Sequence, residues 1–234
     1  MHCICCEVLR PEIEYLLKEL ECPPVVHFLE QGLHDDPDKL RKTLQVKVDE
    51  LEQQKISEII LGYGLCGKGV YGLSSKHATL IIPSIHDCIP LLLGCNQQEA
   101  GIFSEHGSTF WLSPGWLHYS QLNFIRGREK RQKQYEELYG LDNALFLMEQ
   151  EGLWLSHYTN ACFIRWQGLN DIEQFMQDAK IVANDANLPL RTHNGNSGFL
   201  KALLSGGLDE RFLKIPPGMT ADMDCNGNIV AVGV

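Results

Sequence analysis

Three cysteines and one histidine are the side chains in this sequence best suited to chemistry: Cys6, Cys66, His86 and Cys88. Each follows a short apolar segment of the kind that forms a buried strand. Three thiols and one imidazole would make a tetrahedral zinc site. Three thiols, with the histidine or an open position as the fourth ligand, also suit an iron–sulfur cluster. The residue types therefore predict a metal site and leave its metal open.

The pattern of the chain predicts that these residues meet at one edge of a sheet. Strand-type segments alternate with segments of helical period, which is typical of a mostly parallel α/β sheet flanked by helices. Ligands of such sheets bind outside the carboxyl ends of the strands. Cys6 ends the first predicted strand, Cys66 follows the third, and His86 and Cys88 follow the fourth. We therefore expect one shared site at that edge.

The predicted strands are short apolar runs bounded by Gly, Pro or polar residues. They are expected at residues 2–6, 25–29, 58–61, 79–83, 161–165, 188–192, 212–215 and 229–232. The predicted helices carry apolar residues three or four positions apart. They are expected at residues 11–20, 38–54, 89–93, 129–139, 142–156, 172–186 and 198–204. This order predicts two similar α/β lobes, residues 1–142 with the Cys/His site and residues 143–234, joined by a helical connection, or else one larger domain.

A glycine-rich loop surrounds one of the thiols. Gly62, Gly64, Gly67 and Gly69 flank Cys66, and their backbone freedom lets a ligand or cluster approach closely. We therefore expect Gly64 and Gly67 to contact a bound cofactor. The spacing also matches a dinucleotide fingerprint formally, but no strand ending in an acidic residue follows about 20 positions later. The fingerprint therefore gives weak support to nucleotide binding.

An aromatic segment offers a possible apolar wall for a ligand pocket. It runs from Thr109 to Trp116, and Trp116 is the residue that we expect to contact a cofactor. Aromatic residues more often belong to the core than to a ligand site. Buried cysteines likewise often act only as small apolar side chains. A purely structural role is therefore an alternative to the functional one, both for the aromatic segment and for the cysteines.

The composition of the chain indicates which classes of partner are disfavoured and which cellular compartment is expected. The formal net charge of -10 disfavours a general surface for nucleic acid or anionic membrane. No stretch has the length of a membrane span, and the first residues lack the pattern of a signal peptide. Nine cysteines, an odd number, are better explained by metal ligation, redox chemistry or packing in a reducing compartment than by disulfides. We expect a soluble, cytoplasmic protein.

Several sequence blocks together resemble a known family. They are Cys-Glu-Val-Leu-Arg-Pro-Glu at 6–12, Gly-Tyr-Gly-Leu-Cys-Gly-Lys-Gly at 62–69, Ile-Pro-Ser-Ile-His-Asp-Cys-Ile-Pro-Leu-Leu-Leu-Gly at 82–94, Thr-Phe-Trp-Leu-Ser-Pro-Gly-Trp at 109–116 and Ile-Pro-Pro-Gly at 215–218. The chain resembles the uncharacterised family called domain of unknown function 1638. That resemblance implies that the thiols of Cys6, Cys66 and Cys88 and the His86 imidazole are shared features. It also implies a setting in anaerobes, beside corrinoid methyl-transfer systems.

These observations predict a metal-dependent protein, either a zinc-thiolate enzyme or a component of corrinoid-linked methyl transfer. The alternative is an accessory protein that carries an iron–sulfur cluster or binds a cofactor without its own catalytic cycle. The expected partners are a small-molecule ligand and a corrinoid or methyltransferase protein. The corrinoid-binding signature Asp-x-His-x-x-Gly is absent from the sequence. We therefore expect a corrinoid to be presented by a partner, and we assign no catalytic residue.

Overall fold

The computed structural model describes residues 1–96, 99–101, 108–119, 128–206, 209–225 and 228–233. Its strands are short and distributed along the whole chain. They are β1 (His2–Cys6), β2 (Val25–Leu29), β3 (Glu58–Gly62), β4 (Thr79–Pro83), β5 (Thr109–Leu112), β6 (Asn160–Arg165), β7 (Leu190–Asn194), β8 (Phe212–Ile215), β9 (Met219–Met223) and β10 (Ile229–Gly233).

Helices separate most of these strands. They are α1 (Arg10–Leu17), α2 (Pro37–Gln53), α3 (Ile89–Leu93), α4 (Pro114–Tyr119), α5 (Arg128–Tyr139), α6 (Leu141–Gly152), α7 (Ile172–Asp185) and α8 (Gly198–Ser205). Short 3-10 turns occur at Glu7–Leu9, Leu33–Asp35, Cys66–Lys68 and Leu153–His157.

The first compact unit comprises Met1–Ala100 and Gly195–Val234. Its main sheet has the strand order β2-β1-β3-β4-β8. The first four strands run parallel to one another, and β8 pairs antiparallel with β4. The carboxyl ends of β1, β3 and β4 therefore lie at the same edge of this sheet.

The sequence explains the elements that support this edge. Strands β1, β3 and β4 are almost continuously buried, as expected for the interior of a parallel sheet. Helix α2 begins at Pro37, and the side chain of Asp36 caps it by accepting a hydrogen bond from the backbone N–H of Lys39 at 3.0 Å. The buried stripe of α2 has helical spacing and consists of Leu40, Leu44, Val48 and Leu51.

The second compact unit comprises Gly101–Asn194. Its sheet has the order β5-β6-β7, and all pairings are parallel. Helices α4 and α7 pack against each other in this unit. Its buried core residues are Phe110, Leu112, Leu117, Leu155, Ala161, Phe163, Ala179, Val182 and Ala183. The aromatic segment expected to line a ligand pocket thus contributes core residues here.

The two units have different bounds from the two lobes expected from sequence, whose boundary was expected after residue 142. Strand β8 lies far along the chain, yet it pairs with β4, with Leu80 opposite Ile215. Strand β9 also contacts the early part of the first unit, since Thr220 forms a bridge with Ser74. β9 has no counterpart among the predicted strands, and it pairs antiparallel with β10. Long-range pairing therefore places the last residues with the first lobe.

The predicted fold class, a mostly parallel α/β sheet flanked by helices, is confirmed by these pairings. None of the helices that the structure describes combines the length and apolar character needed to cross a lipid bilayer.

Candidate functional site

The three candidate thiols follow three parallel strands of the first unit. Cys6 is the last residue of β1 and precedes the 3-10 turn Glu7–Leu9. Cys66 opens the 3-10 turn after β3, and Cys88 immediately precedes helix α3 after β4. Since β3 lies between β1 and β4, the three residues follow neighbouring strand ends. This is the edge at which α/β sheets bind ligands.

Backbone hydrogen bonds join the two loops that carry the later thiols. The N–H of Leu65 donates to the carbonyl of Ile85 at 2.9 Å, and the N–H of Cys66 donates to the carbonyl of His86 at 2.9 Å. The two loops are therefore joined to each other beyond the ends of β3 and β4. This connection fixes the backbone of Cys66 beside that of His86 and, two residues further along, Cys88.

Gly64 lets these loops approach each other. A Cβ atom added at Gly64 would lie 2.8 Å from the backbone nitrogen of Asp87 and 2.8 Å from the carbonyl oxygen of Ile85. Both neighbours are backbone atoms, which cannot turn aside as a flexible side chain can. Glycine is therefore required here for packing between the two loops.

Replacing Gly64 by alanine should consequently separate the loops and destabilise the protein by about 1 to 3 kcal/mol, the usual cost of overpacking. Urea unfolding of Gly64→Ala would measure this change. Gly233→Ala is the matched control, because an added Cβ atom there meets nothing within 4 Å. Equal stability of the two variants would contradict the packing role of Gly64.

The backbone of the Cys66 loop is unusual. Cys66 has a φ of 43° and Lys68 a φ of 77°, both in the left-handed region that residues with a side chain seldom occupy. Such conformations cost about 1 to 3 kcal/mol each and are concentrated at ligand sites and active sites. Cys66 and Lys68 both have such a conformation and are separated only by Gly67. The backbone around the Cys66 thiol is therefore strained.

The candidate thiols lie within electrostatic range of one another. Burial first, and then the nearby Cys6, raise the pKa of Cys66 to about 12. Burial likewise raises the pKa of Cys6 to about 11. The pKa of Cys88 lies well above its usual value because of burial first, and then because of Asp87, Cys66 and Cys6. At neutral pH all three are thiols, and a cation placed among them would favour their ionised forms.

His86 and Asp87 are more exposed than the thiols. The side chain of Asp87 accepts a hydrogen bond from the backbone N–H of Ile89 at 2.8 Å, at the start of α3. It therefore supports the first turn of the helix that follows Cys88. Burial raises the pKa of Asp87, whereas this hydrogen bond and the nearby His86 lower it.

Tyr63 is a member of this neighbourhood that the sequence did not single out. Its side chain is only 2% exposed, and its hydroxyl has no hydrogen-bond partner among the described residues. Burial raises the pKa of Tyr63, and Cys6, Cys5, Cys66 and Cys88 raise it further. An unpaired buried hydroxyl costs about 1 to 3 kcal/mol. In the sequence, only the position of Tyr63 between Gly62 and Gly64 could have indicated that it belongs to the candidate site.

Two further thiols lie close together within strand β1. Cys3 and Cys5 are fully buried, and their sulfur atoms are 3.1 Å apart on one face of β1. For buried cysteines, the sequence leaves open a role only as small apolar side chains. Their complete burial agrees with that interpretation, while Cys5 also lies near Tyr63.

The other predicted contact residues have different surroundings. Trp116 belongs to the second unit, where its ring meets that of Phe110 edge to face at 5.0 Å and packs against the core. Gly67 lies within the 3-10 turn Cys66–Lys68. In the part of the chain that the structure describes, no group of three or more His, Cys, Asp or Glu side chains is arranged so that it could hold a metal ion. The metal ligand set therefore stays a prediction.

The glycine loop also differs from a dinucleotide cradle. In such a cradle the second glycine lets the pyrophosphate approach, and a helix begins directly after the loop. Here Gly64 packs against the backbone of Ile85 and Asp87, and a 3-10 turn of three residues follows. The space that a pyrophosphate would use is filled by the neighbouring loop.

These features define an α/β protein with a cluster of thiols at the carboxyl edge of a parallel sheet. The chain belongs to the family described as Protein of unknown function (DUF1638), whose model matches residues 28–204. The family resemblance is thus confirmed. The matched range contains Cys66, His86 and Cys88 and begins after Cys6. No curated protein and no solved structure matches the chain.

Proposed function

We propose that the thiol cluster is a metal site, and that the protein is a zinc-thiolate enzyme or a component of corrinoid-linked methyl transfer in the cytoplasm. Cys66, His86 and Cys88 are the proposed ligands, with Cys6 as a fourth ligand or a close neighbour. One observation carries this proposal: three thiols from neighbouring strand ends lie within electrostatic range of one another.

The electrostatics of the cluster favour a metal over a free nucleophile. A thiol attacks as its thiolate, and reactive cysteines are found beside positive charge. The ionisable groups that raise the pKa of Cys66 and Cys88 are instead acids, namely Cys6 and Asp87. A bound divalent cation would lower the pKa of these thiols and stabilise their ionised forms.

The proposed chemistry uses the cation to activate a second thiol. A small thiol substrate bound to zinc loses its proton to solvent, because coordination lowers its pKa. Its sulfur then attacks a methyl group presented by a corrinoid protein. A sulfur–carbon bond forms, the bond between the methyl carbon and its carrier breaks, and that electron pair stays with the carrier. The partner and the donor follow from the family resemblance.

An iron–sulfur cluster is the alternative occupant, since three cysteines with a histidine or an open position also suit four irons and four sulfides. Such a protein would carry electrons or serve a partner enzyme without its own catalytic cycle. The number and type of proposed ligands are the same in both cases.

Metal analysis and an absorption spectrum of the anaerobically purified protein test the proposal. We expect a colourless protein with about one zinc ion per chain and no acid-labile sulfide. A brown protein that contains iron and sulfide would select the cluster instead. A protein that contains neither metal, and that binds neither zinc nor cobalt when these are added, would remove the proposed function.

A further inference from the structure

A helical hairpin of the second unit, formed by α5, α6 and the turn Leu153–His157, exposes most of the large apolar side chains that the described residues leave in solvent. They are Leu138, Tyr139, Leu141, Leu145, Phe146, Leu153 and Trp154, each at least 38% exposed. Soluble proteins seldom expose so many apolar groups within one short stretch of chain, and such patches mark protein–protein interfaces. This hairpin surface therefore requires a partner that covers it.

The hairpin has little else to pack against. In the part of the chain that the structure describes, α5 packs extensively only against α6. Within α6, Ala144 and Met148 form the buried stripe, whereas Leu141, Leu145 and Phe146 lie outside that stripe and are about half exposed. A helix with apolar residues on most of its circumference is normally buried on all sides. Helices of 12 residues are also too short to be stable in water without further packing.

The exposed face of α5 indicates the identity of the partner. Its residues recur at helical spacing and are all exposed: Lys130, Lys133, Gln134, Glu137 and Leu138. This face is basic where the helix begins and acidic near its end, with the uncharged Gln134 at its middle. Turned end over end, the pattern is its own complement, because Lys130 of one copy then lies beside Glu137 of the other. Symmetric dimers use such self-complementary surfaces, so the charges favour a second copy of this chain.

We propose that the hairpin surface binds the hairpin surface of a second copy of the chain, with α5 beside α5 and α6 beside α6 in opposite directions. The turn at Gly140 of one copy then lies at the open end of the other hairpin. Apolar residues meet in the same arrangement, since Leu141 at the turn approaches Leu153 at the open end. Leu145 and Phe146, in the middle of α6, meet their counterparts. The result is a two-fold dimer with a four-helix bundle at its interface.

Sedimentation velocity of the full chain tests this inference. We expect a species with twice the 26.4 kDa mass of one chain. Leu145→Glu places a charge in the middle of the interface, and the two-fold symmetry repeats it, so the dimer dissociation constant should rise about 100-fold or more. Ile181→Glu is the matched control and should keep the dimer, because Ile181 is 50% exposed on α7, outside the hairpin.

Two results of this measurement would overturn the inference. A wild type that stays monomeric would leave the hairpin surface for a different protein. A dimer that Leu145→Glu leaves intact would have its interface elsewhere on the molecule.

Charge exchange on α5 tests the direction of packing. Lys130→Glu and Glu137→Lys should each raise the dissociation constant about threefold or more, since each places like charges beside one another at two positions of the dimer. The double variant exchanges the two charges and should return to within about twofold of the wild type. Damage to the fold would not produce this rescue. Single variants with the affinity of the wild type, or a double variant no tighter than the single ones, would overturn the inference, because Lys130 and Glu137 would then not meet across the interface.

Discussion

Serine in place of Cys66 or Cys88 is expected to weaken metal binding by at least about 100-fold while the fold persists, because the hydroxyl is a hard and weakly acidic replacement for a soft thiolate. The two side chains are nearly equal in shape, so packing changes little. Each residue is partly exposed. Metal stoichiometry after anaerobic purification and thermal unfolding, measured on the same samples, separate the two effects.

Cys162→Ser is the control for this experiment. Cys162 is 6% exposed and lies in β6 of the second unit, among the residues of its parallel sheet. A hydroxyl there has an apolar environment, so this variant should lose about 1 to 3 kcal/mol of stability and keep its metal. If the Cys66 and Cys88 variants also kept their metal and lost only stability, both residues would be ordinary packing thiols.

The elements of the fold were predictable where a local pattern determines them. Apolar runs that end in glycine, proline or a polar residue placed β1, β2 and β4 at their observed bounds. Helical spacing of apolar residues placed α2 within one residue at each end. These signals depend on burial of one face or one stripe, which the order of residue types records directly.

Local patterns did not predict that the segment Gly195–Val234 belongs to the first unit. β8 was expected as a strand, but nothing in residues 212–215 indicates that its partner is β4. β9 is a short run, Met-Thr-Ala-Asp-Met, in which apolar and polar residues alternate, yet it was not among the predicted strands. Its position depends on β10 and on the bridge to Ser74. The pairing of β8 with β4 and the bridge between Thr220 and Ser74 connect residues more than a hundred positions apart, and such pairings leave no local signal.

The candidate site shows the same contrast. The types and positions of Cys6, Cys66 and Cys88 suggested a common edge, because the end of a strand is a local property. The unpaired hydroxyl of Tyr63 depends on what surrounds it in space. The N–H of Cys66, a residue with positive φ, donates a hydrogen bond to the next loop, and that contact is equally invisible in the sequence. Sequence therefore indicates which residues can do chemistry better than it indicates the groups that surround them.

Glu12 is a charged residue on the buried face of a helix. Ile13 and Leu16 belong to the buried stripe of α1. Glu12 lies one turn before Leu16, so the same spacing places it on that stripe. It is fully buried, and neither carboxylate oxygen has a hydrogen-bond partner in another described residue. Burial raises the pKa of Glu12 to about 8.

The protein should therefore lose stability as pH rises from about 4.5 to about 8. In the unfolded chain Glu12 ionises near its ordinary pKa, whereas in the folded protein it keeps its proton up to about pH 8. The folded state binds more protons between these values, so the free energy of unfolding falls across that window and levels off above it. At about pH 8 the penalty reaches about 3 to 4 kcal/mol.

Glu12→Gln removes this ionisation and keeps the shape of the side chain. We expect the variant to match or fall slightly below the wild type at about pH 5, where both side chains are neutral, and to exceed it by about 3 to 4 kcal/mol at about pH 8. Urea unfolding at the two pH values measures the difference. Glu14→Gln is the control, since Glu14 is exposed and its 3.7 Å ion pair with Arg10 contributes less than about 1 kcal/mol. An equal response of the two variants to pH would show that Glu12 is not the group responsible, and that its carboxylate finds stabilisation when it ionises inside the fold.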